Sequence, residues 1–268
     1  MINMASLDAS DARDARRFGN KAANLAIAKQ AGLAVPNGVG ISYWGQPSLE
    51  EIRSELSALR RPLAVRSSSL AEDSEGSAFP GVFETVLGVR TEDEILDAIR
   101  HVRESAEGEN LQAYLSGRQQ SVQMAVLVQE LIPAESGGVS FSRDPVTGAR
   151  IVIIESGLGL GKSVVDGEIT PDSYEFTHDN EMIQKTLGRK RIRFDYIDGL
   201  TRREVPAADS TRFALSDTQA MDVCLLTVAA EAILERPIDI EWAFDGEEKL
   251  WLLQARPITT LPKERLSE

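Results

Sequence analysis

The chain divides into segments with helical apolar spacing and segments with strand-like apolar spacing. Small and apolar residues recur at helical spacing before Gly32, and the segment after Thr91 has the apolar stripe of an amphipathic helix. Ser216 and Asp217 can cap a longer helix that ends before Pro237. The predicted helices are 19–30, 49–59, 92–104, 111–115 and 217–234.

Strand-like segments are concentrated in the second half of the chain, where turn signals such as Pro133 and Asp144-Pro145 separate them. In the first half, Arg66 is expected at the end of a short strand and 67–81 is expected to form a loop. No internal repeat or low-complexity tract is present. The predicted strands are 63–65, 83–89, 122–130, 137–142, 150–155, 238–244 and 250–256.

The last two predicted strands form a hairpin with a specific register. If the loop is 246–249, antiparallel pairing places Glu241 opposite Gln254 and Asp239 opposite Arg256, all on one face. The other face is then apolar and is expected to lie in the core. That apolar face is predicted to contain Ile240, Trp242, Phe244, Trp251, Leu253 and Ala255.

The polar face of this hairpin has two interpretations. Carboxylate and amide oxygens beside an arginine suit a hard divalent cation bound to a polyphosphate, with Arg256 donating to phosphate oxygens. The alternative is a structural ion pair on a half-exposed sheet. Local spacing alone leaves both interpretations open.

Composition restricts the class of protein. A chain of 268 residues can form one large domain or two lobes, and its net charge of −13 argues against a nucleic-acid or anionic-membrane surface. The basic run 189–193 is interpreted as a solvated strand face. The single cysteine, Cys224, is expected to be a buried apolar residue, and with no signal-peptide pattern we expect a cytoplasmic location.

Three glycine-bearing segments, 18–21, 76–81 and 157–163, are candidates for phosphate binding. The last one is similar to a P-loop, but that motif requires glycine at the position of Ser156, so we do not assign it. His101 is interpreted as a solvated helix residue and His178 as a turn residue.

Taken in order, the segments resemble the ATP-binding domain of the dikinase family, which includes phosphoenolpyruvate synthase and pyruvate phosphate dikinase. The resemblance runs nearly from end to end. It rests on 19–25 with 32–36, 65–69, 79–85, 128–132, 137–145, 159–161 with Gly167 and 171–172, 239–242 and 253–257.

This resemblance implies roles for individual residues. Lys21, Arg66 and Arg256 would contact ATP phosphates and act in catalysis, and Gly81 would lie in a mobile loop over the nucleotide. The segment with Gln129, Glu130 and Ile132 would form the hinge whose backbone reads adenine. Asp239 would contribute to nucleotide binding, and Glu241 and Gln254 would bind magnesium.

The resemblance further implies an α+β, ATP-grasp-like fold with nucleotide held between two lobes. We expect an N-terminal lobe at 1–124 and a C-terminal lobe at 125–268. Two departures from the family pattern stand out: the segment 41–63 is short, and Lys162 occupies a position where glutamate is common.

The implied cofactors are ATP and Mg²⁺. The chain ends soon after 254–257, and neither histidine has the context of the family's acceptor. The hypothesis is therefore phosphorylation of a histidine on a separate partner protein, releasing AMP and phosphate. Two alternatives remain: a self-sufficient ATP-grasp enzyme acting on a small acceptor, and a nucleotide-binding regulatory subunit without turnover.

Overall fold

The computed structural model describes residues 3–70, 73–74, 77–78, 84–105, 124–259 and 261. The chain forms two compact units, Met1–Ile132 and Pro133–Glu268. The boundary therefore lies eight residues after the one expected at 124/125. The reason is that β7 (Met124–Glu130) pairs with two strands of the first unit and belongs to its sheet.

The first unit is built on a five-stranded antiparallel sheet in the order β1-β2-β7-β3-β6. β7 is its middle strand, and all seven of its residues are buried. A short additional hairpin follows β3. The strands are β1 (Met4–Ser6), β2 (Gly38–Ile41), β3 (Leu63–Ser69), β4 (Asp73–Ser74), β5 (Ser77–Ala78), β6 (Thr85–Val89) and β7.

Helices cover both faces of this sheet. α1 (Ala15–Gln30) packs on one face, where the Phe18 ring contacts Gly40. α2 (Leu49–Glu55) and α3 (Glu92–Ser105) pack on the other face and contribute Ile52 and Ile99 to the apolar core there. α2 is shorter than predicted, α3 is confirmed, and the helix predicted at 111–115 lies outside the described residues.

The second unit contains a six-stranded antiparallel sheet in the order β11-β10-β9-β8-β14-β15 and a separate two-stranded hairpin, β12-β13. The two predicted strands of the final hairpin are confirmed to within one residue. The strands are β8 (Ala134–Phe141), β9 (Ile151–Leu158), β10 (Asp172–Thr177), β11 (Met182–Thr186), β12 (Ile192–Tyr196), β13 (Leu200–Glu204), β14 (Ile238–Asp245) and β15 (Leu250–Pro257).

The described part of the second unit also contains three helices: α4 (Lys162–Val165), α5 (Ala207–Ser210) and α6 (Asp217–Leu234). α6 packs on the sheet and begins with a capping box between Ser216 and Gln219, as its sequence predicts. Cys224 on α6 is buried as expected, and burial raises the pKa of its thiol to about 11. None of the helices in the described ranges is long and apolar enough to cross a membrane.

A buried ion pair corrects the interpretation of the basic run 189–193. Lys190 is fully buried, and its Nζ lies 2.5 Å from Oδ1 of the equally buried Asp172. Asp172 also accepts hydrogen bonds from the amides of Gly188 and Ala214. Burial and the Asp172 carboxylate raise the pKa of Tyr174. This carboxylate therefore joins three segments of the second unit, and Lys190 is part of the core.

Candidate functional site

Lys21 lies just after a sharp kink in α1. Gly19 has φ of 75° and ψ of 167°, so the regular helix that carries Lys21 begins after it. Lys21 itself is only 7% exposed. A lysine in the first turn of a regular helix adds its charge to the partial positive charge of the helix N-terminus, which favours anions.

Arg66 lies on the face of the sheet that α1 covers. It is inside β3, because the strand continues to Ser69, and not at a strand end as the sequence suggested. Arg66 pairs with Leu127, which in turn pairs with Gly40 under the Phe18 ring. The structure thus brings Lys21 and Arg66 to the same face of the same sheet.

Ser68 connects these two positions, and sequence reasoning did not single it out. Its hydroxyl donates to the carbonyl oxygen of Phe18 at 2.6 Å and accepts from the amide of Ala22 at 3.1 Å. The Asn20 side chain donates to the Leu70 carbonyl at 3.5 Å. The sequence offered two signals for Ser68: it lies in the segment 65–69 that carries the family resemblance, and strand alternation places it on the same face as Arg66.

The expected hinge residues have mixed surroundings. Gln129 is buried on the α1 side, and its Nε2 donates to the Pro36 carbonyl at 3.4 Å. The Glu130 carboxylate accepts from the amide of Arg60 at 2.9 Å and from Asn37 at 3.2 Å. The Glu130 side chain therefore stabilises the fold by joining β7 to two other segments of the first unit. Ile132 is buried at the end of the first unit, and Gly81 lies outside the described residues.

In the second unit the predicted pairing of the final hairpin is confirmed at the polar positions. Glu241 lies opposite Gln254, and Asp239 lies opposite Arg256. Nε of Arg256 donates to both carboxylate oxygens of Asp239, at 2.8 and 2.9 Å. The structural interpretation of this face predicts an ion pair, and the Asp239–Arg256 pair is present. Beside it lies the Glu241–Gln254 pair, a carboxylate opposite an amide.

A β-bulge changes the hairpin beyond this point. Glu241 pairs with Gln254, but Trp242 pairs with Leu252, so Leu253 is an extra residue on β15. Because strand side chains alternate, Trp251 moves to the face of Glu241, where its Nε1 donates to Asp245 at 2.7 Å. The prediction that Trp251 belongs to the opposite apolar face was wrong, because Leu252 pairs with Trp242 and is the residue buried there.

The row of residues that contains Glu241 extends across four strands. Each of four neighbouring strands contributes one residue to this row, and because directly paired residues share a face, all four lie on one face of the sheet. The residues are Gln254 on β15, Glu241 on β14, Val139 on β8 and Glu155 on β9. Burial raises the pKa of Glu155. Sequence reasoning missed Glu155 because no local pattern indicates which strand follows β8 in the sheet.

The oxygen donors of Glu241 and Gln254 fit a magnesium ion. Mg²⁺ binds through one or two carboxylates together with substrate phosphates, and it prefers oxygen ligands. Within the described ranges no group of three or more His, Cys, Asp or Glu residues is arranged to hold a metal by itself. The pair would therefore supply only part of the octahedral coordination shell of Mg²⁺.

Amides of the glycine-bearing segment 157–163 form hydrogen bonds with other backbone groups of the protein. The amides of Gly159 and Leu160 donate to the carbonyls of Glu135 and Phe194, both at 2.7 Å. Gly161 packs so closely on Gly137 that a Cβ on Gly137 would lie 2.9 Å from the Gly161 amide nitrogen.

Comparison with known proteins now defines the class. The fold is α+β and ATP-grasp-like, as the sequence suggested. One solved structure, of the protein PH1788 from Pyrococcus horikoshii, matches with a TM-score of 0.50 at 16% identity and covers 91% of this chain and 92% of that one. At this identity the likeness concerns the fold alone.

The family follows from the sequence comparison. The model of the pyruvate phosphate dikinase AMP/ATP-binding domain matches residues 46–268, so this chain belongs to that family. An uncharacterized phosphotransferase of Bacillus subtilis is 35% identical over 224 residues, which are 81% of this chain and 27% of that protein. A probable phosphoenolpyruvate synthase of Archaeoglobus fulgidus is 35% identical over 208 residues, 76% of this chain and 28% of that protein.

Proposed function

We propose that this chain binds Mg-ATP and supplies the nucleotide site of a dikinase-type phosphotransferase, which phosphorylates a histidine on a separate protein and releases AMP and phosphate. The observation that carries the proposal is the pairing of Glu241 with Gln254 beside the Asp239–Arg256 ion pair, in a chain of the AMP/ATP-binding family. Because the chain spans less than a third of these curated relatives, the activity of a whole protein is part of the proposal.

In the first unit, Lys21 and Arg66 would bind phosphate oxygens of ATP. Both are cationic, and both lie on the α1 face of the sheet, with Lys21 in the first turn of a regular helix. Phosphoryl transfer in enzymes depends mainly on positioning and on neutralising charge that develops on the transferring group. A preorganised lysine and arginine supply both, without a protein base.

In the second unit, Glu241 and Gln254 would hold Mg²⁺, which neutralises phosphate charge when bound. Arg256 would donate to phosphate oxygens from the same face, and the Asp239 carboxylate holds its guanidinium through Nε. Gly81 and the hinge residues Gln129, Glu130 and Ile132 remain predicted contacts of the nucleotide.

The histidines of this chain are poor phosphoryl acceptors. His178 is half-buried, with Nε2 at 2.8 Å from the Ser142 carbonyl oxygen and Nδ1 at 3.6 Å from the Glu231 carboxylate. His101 is exposed on α3 and contacts Glu84. In this proposal the phosphoryl acceptor is therefore a histidine of another protein.

Nucleotide product analysis tests this proposal. The purified chain is incubated with Mg-ATP, alone and with a candidate histidine-domain protein, and the products are separated by chromatography. AMP formed only with the partner is the expected result. ADP or AMP formed with a small acceptor alone would instead identify a self-sufficient enzyme. Binding of ATP without turnover in any mixture would identify a regulatory subunit.

A further inference from the structure

The kink in α1 has a side chain inserted into it. In a regular helix the amide of Ala22 would donate directly to the carbonyl of Phe18, four residues earlier. Here the Ser68 hydroxyl lies between them, donating to Phe18 at 2.6 Å and accepting from Ala22 at 3.1 Å. A side chain inserted into this hydrogen-bond ladder is an established cause of a sharp kink.

Gly19 makes the insertion sterically feasible. Its φ of 75° lies in the left-handed region that favours glycine. A Cβ at this position would lie 2.1 Å from the carbonyl oxygen of Ser68 and 2.5 Å from its hydroxyl oxygen. The backbone of β3 therefore approaches α1 more closely than any residue with a side chain would permit.

We propose that Ser68 is a positioning residue of the phosphate site: its hydroxyl holds α1 in the kinked form that directs Lys21 toward the nucleotide phosphates. The inference rests on the proposed function and adds a residue to it. Lys21 lies between the kink at Gly19 and the amide of Ala22 that Ser68 binds. Ser68 itself is fully buried and is two residues from Arg66 on the same face.

The neighbouring serine provides a matched control. Ser67 is 1% exposed, is in the same strand and has an equally small side chain. Because strand side chains alternate, it points to the opposite face, where its partner Val126 belongs to the apolar core. Within the described residues its hydroxyl has no hydrogen-bond partner. Ser67→Ala therefore removes a hydroxyl group without touching the kink.

The test is a double-mutant cycle on the affinity for Mg-ATP, measured by calorimetry on the complete chain. We expect Ser68→Ala to weaken binding about tenfold, as the loss of a buried hydrogen-bonding group implies, and Ser67→Ala to change it by less than about twofold. If Ser68 acts through Lys21, then Ser68→Ala has less than about a twofold effect in a Lys21→Met background. Adenosine affinity stays unchanged in both serine variants.

The outcomes separate this inference from the proposed function. If Lys21→Met leaves ATP affinity unchanged, the assignment of Lys21 to phosphate fails, and the inference fails with it. If Lys21→Met weakens binding but Ser68→Ala has no effect, or has the same effect in both backgrounds, only the role of Ser68 is overturned. Should Ser68→Ala not fold, Ser68→Cys, which keeps the shape with weaker hydrogen bonds, is judged by the same criteria.

Discussion

Arg256 donates from Nε to both carboxylate oxygens of Asp239, across the two strands of the final hairpin. A single N–H group is shared between the two oxygens, so the contact is a three-centre hydrogen bond that holds the guanidinium against the carboxylate. It lies beside the Glu241–Gln254 pair on the same face. In the proposed site, Asp239 would therefore act on phosphate through the arginine that it orients.

Replacing Asp239 with asparagine tests this relationship. The side-chain amide of asparagine has one acceptor oxygen, whereas the carboxylate has two. Nε of Arg256 would therefore lose one of its two acceptors, and the guanidinium would be held less firmly. We expect kcat for ATP turnover to fall by about tenfold or more, in the range of a misplaced charge-stabilising group. Glu168→Gln, which removes a surface carboxylate that pairs with Arg202, is the control. Equal kcat values for the two variants would contradict the role of Asp239.

Replacing Glu241 with glutamine tests the metal assignment. The loss of one anionic oxygen donor should raise the Mg²⁺ concentration needed for half-maximal ATP binding, by about tenfold or more. Glu155→Gln is a matched control because Glu155 lies in the same row but two strands away, about 10 Å. The measurement is a Mg²⁺ titration at constant ATP. An equal shift in both variants would disprove specific coordination by Glu241. Glu241→Ala should abolish turnover altogether.

The buried pair of Asp172 and Lys190 predicts a large effect on stability. Lys190→Met leaves the Asp172 carboxylate buried without its charge partner, and such changes cost about 3–5 kcal/mol of unfolding free energy. The double variant Asp172→Asn with Lys190→Met should be less destabilised than the sum of the single variants, since no charge remains buried. Urea unfolding followed by circular dichroism measures these values. Additive effects would show that the two groups do not interact.

Substitution by alanine is expected to have different effects on stability at two glycines of the second unit, Gly138 and Gly246. A Cβ on Gly138 would lie 1.9 Å from the Glu155 carbonyl oxygen, so Gly138→Ala must displace β8 from β9. Gly246 in the hairpin turn has nothing within 4 Å of its added Cβ. We expect Gly138→Ala to destabilise by about 1–3 kcal/mol and Gly246→Ala to change stability by less than about 1 kcal/mol. Similar melting temperatures for the two variants would contradict this prediction.

The sequence predicted the elements whose signals are local. The caps and apolar spacing of α6 gave its bounds, and the turn 246–249 with flanking alternation gave the register of Glu241 with Gln254. The residues of the first unit that face α1 could be predicted only in part, because β3 proved longer than its apolar portion. Polar serines extend it past Arg66, and they are stabilised by pairing with β7.

Features that depend on distant contacts could not be predicted. Lys190 lies in a run of basic residues and gives no sign of burial, since its partner Asp172 is in β10, distant in the sequence. The Ser68 hydroxyl is useful only because α1 lies over β3 with glycine at position 19. The extra residue Leu253 has no signature in an otherwise regular apolar segment. In each case tertiary packing decides what local spacing leaves open.

Because of the bulge at Leu253, the two tryptophans of the final hairpin lie on opposite faces of the sheet and can act as separate fluorescence reporters. Trp242 is fully buried on the apolar face, whereas Trp251 shares the face of Glu241 and is bonded to Asp245. The Lys249 ammonium lies 3.6 Å from the centre of the Trp251 ring. Indole fluorescence depends on nearby charge and on access to water. The emission of Trp251 should therefore report nucleotide binding, while that of Trp242 reports the opening of the core.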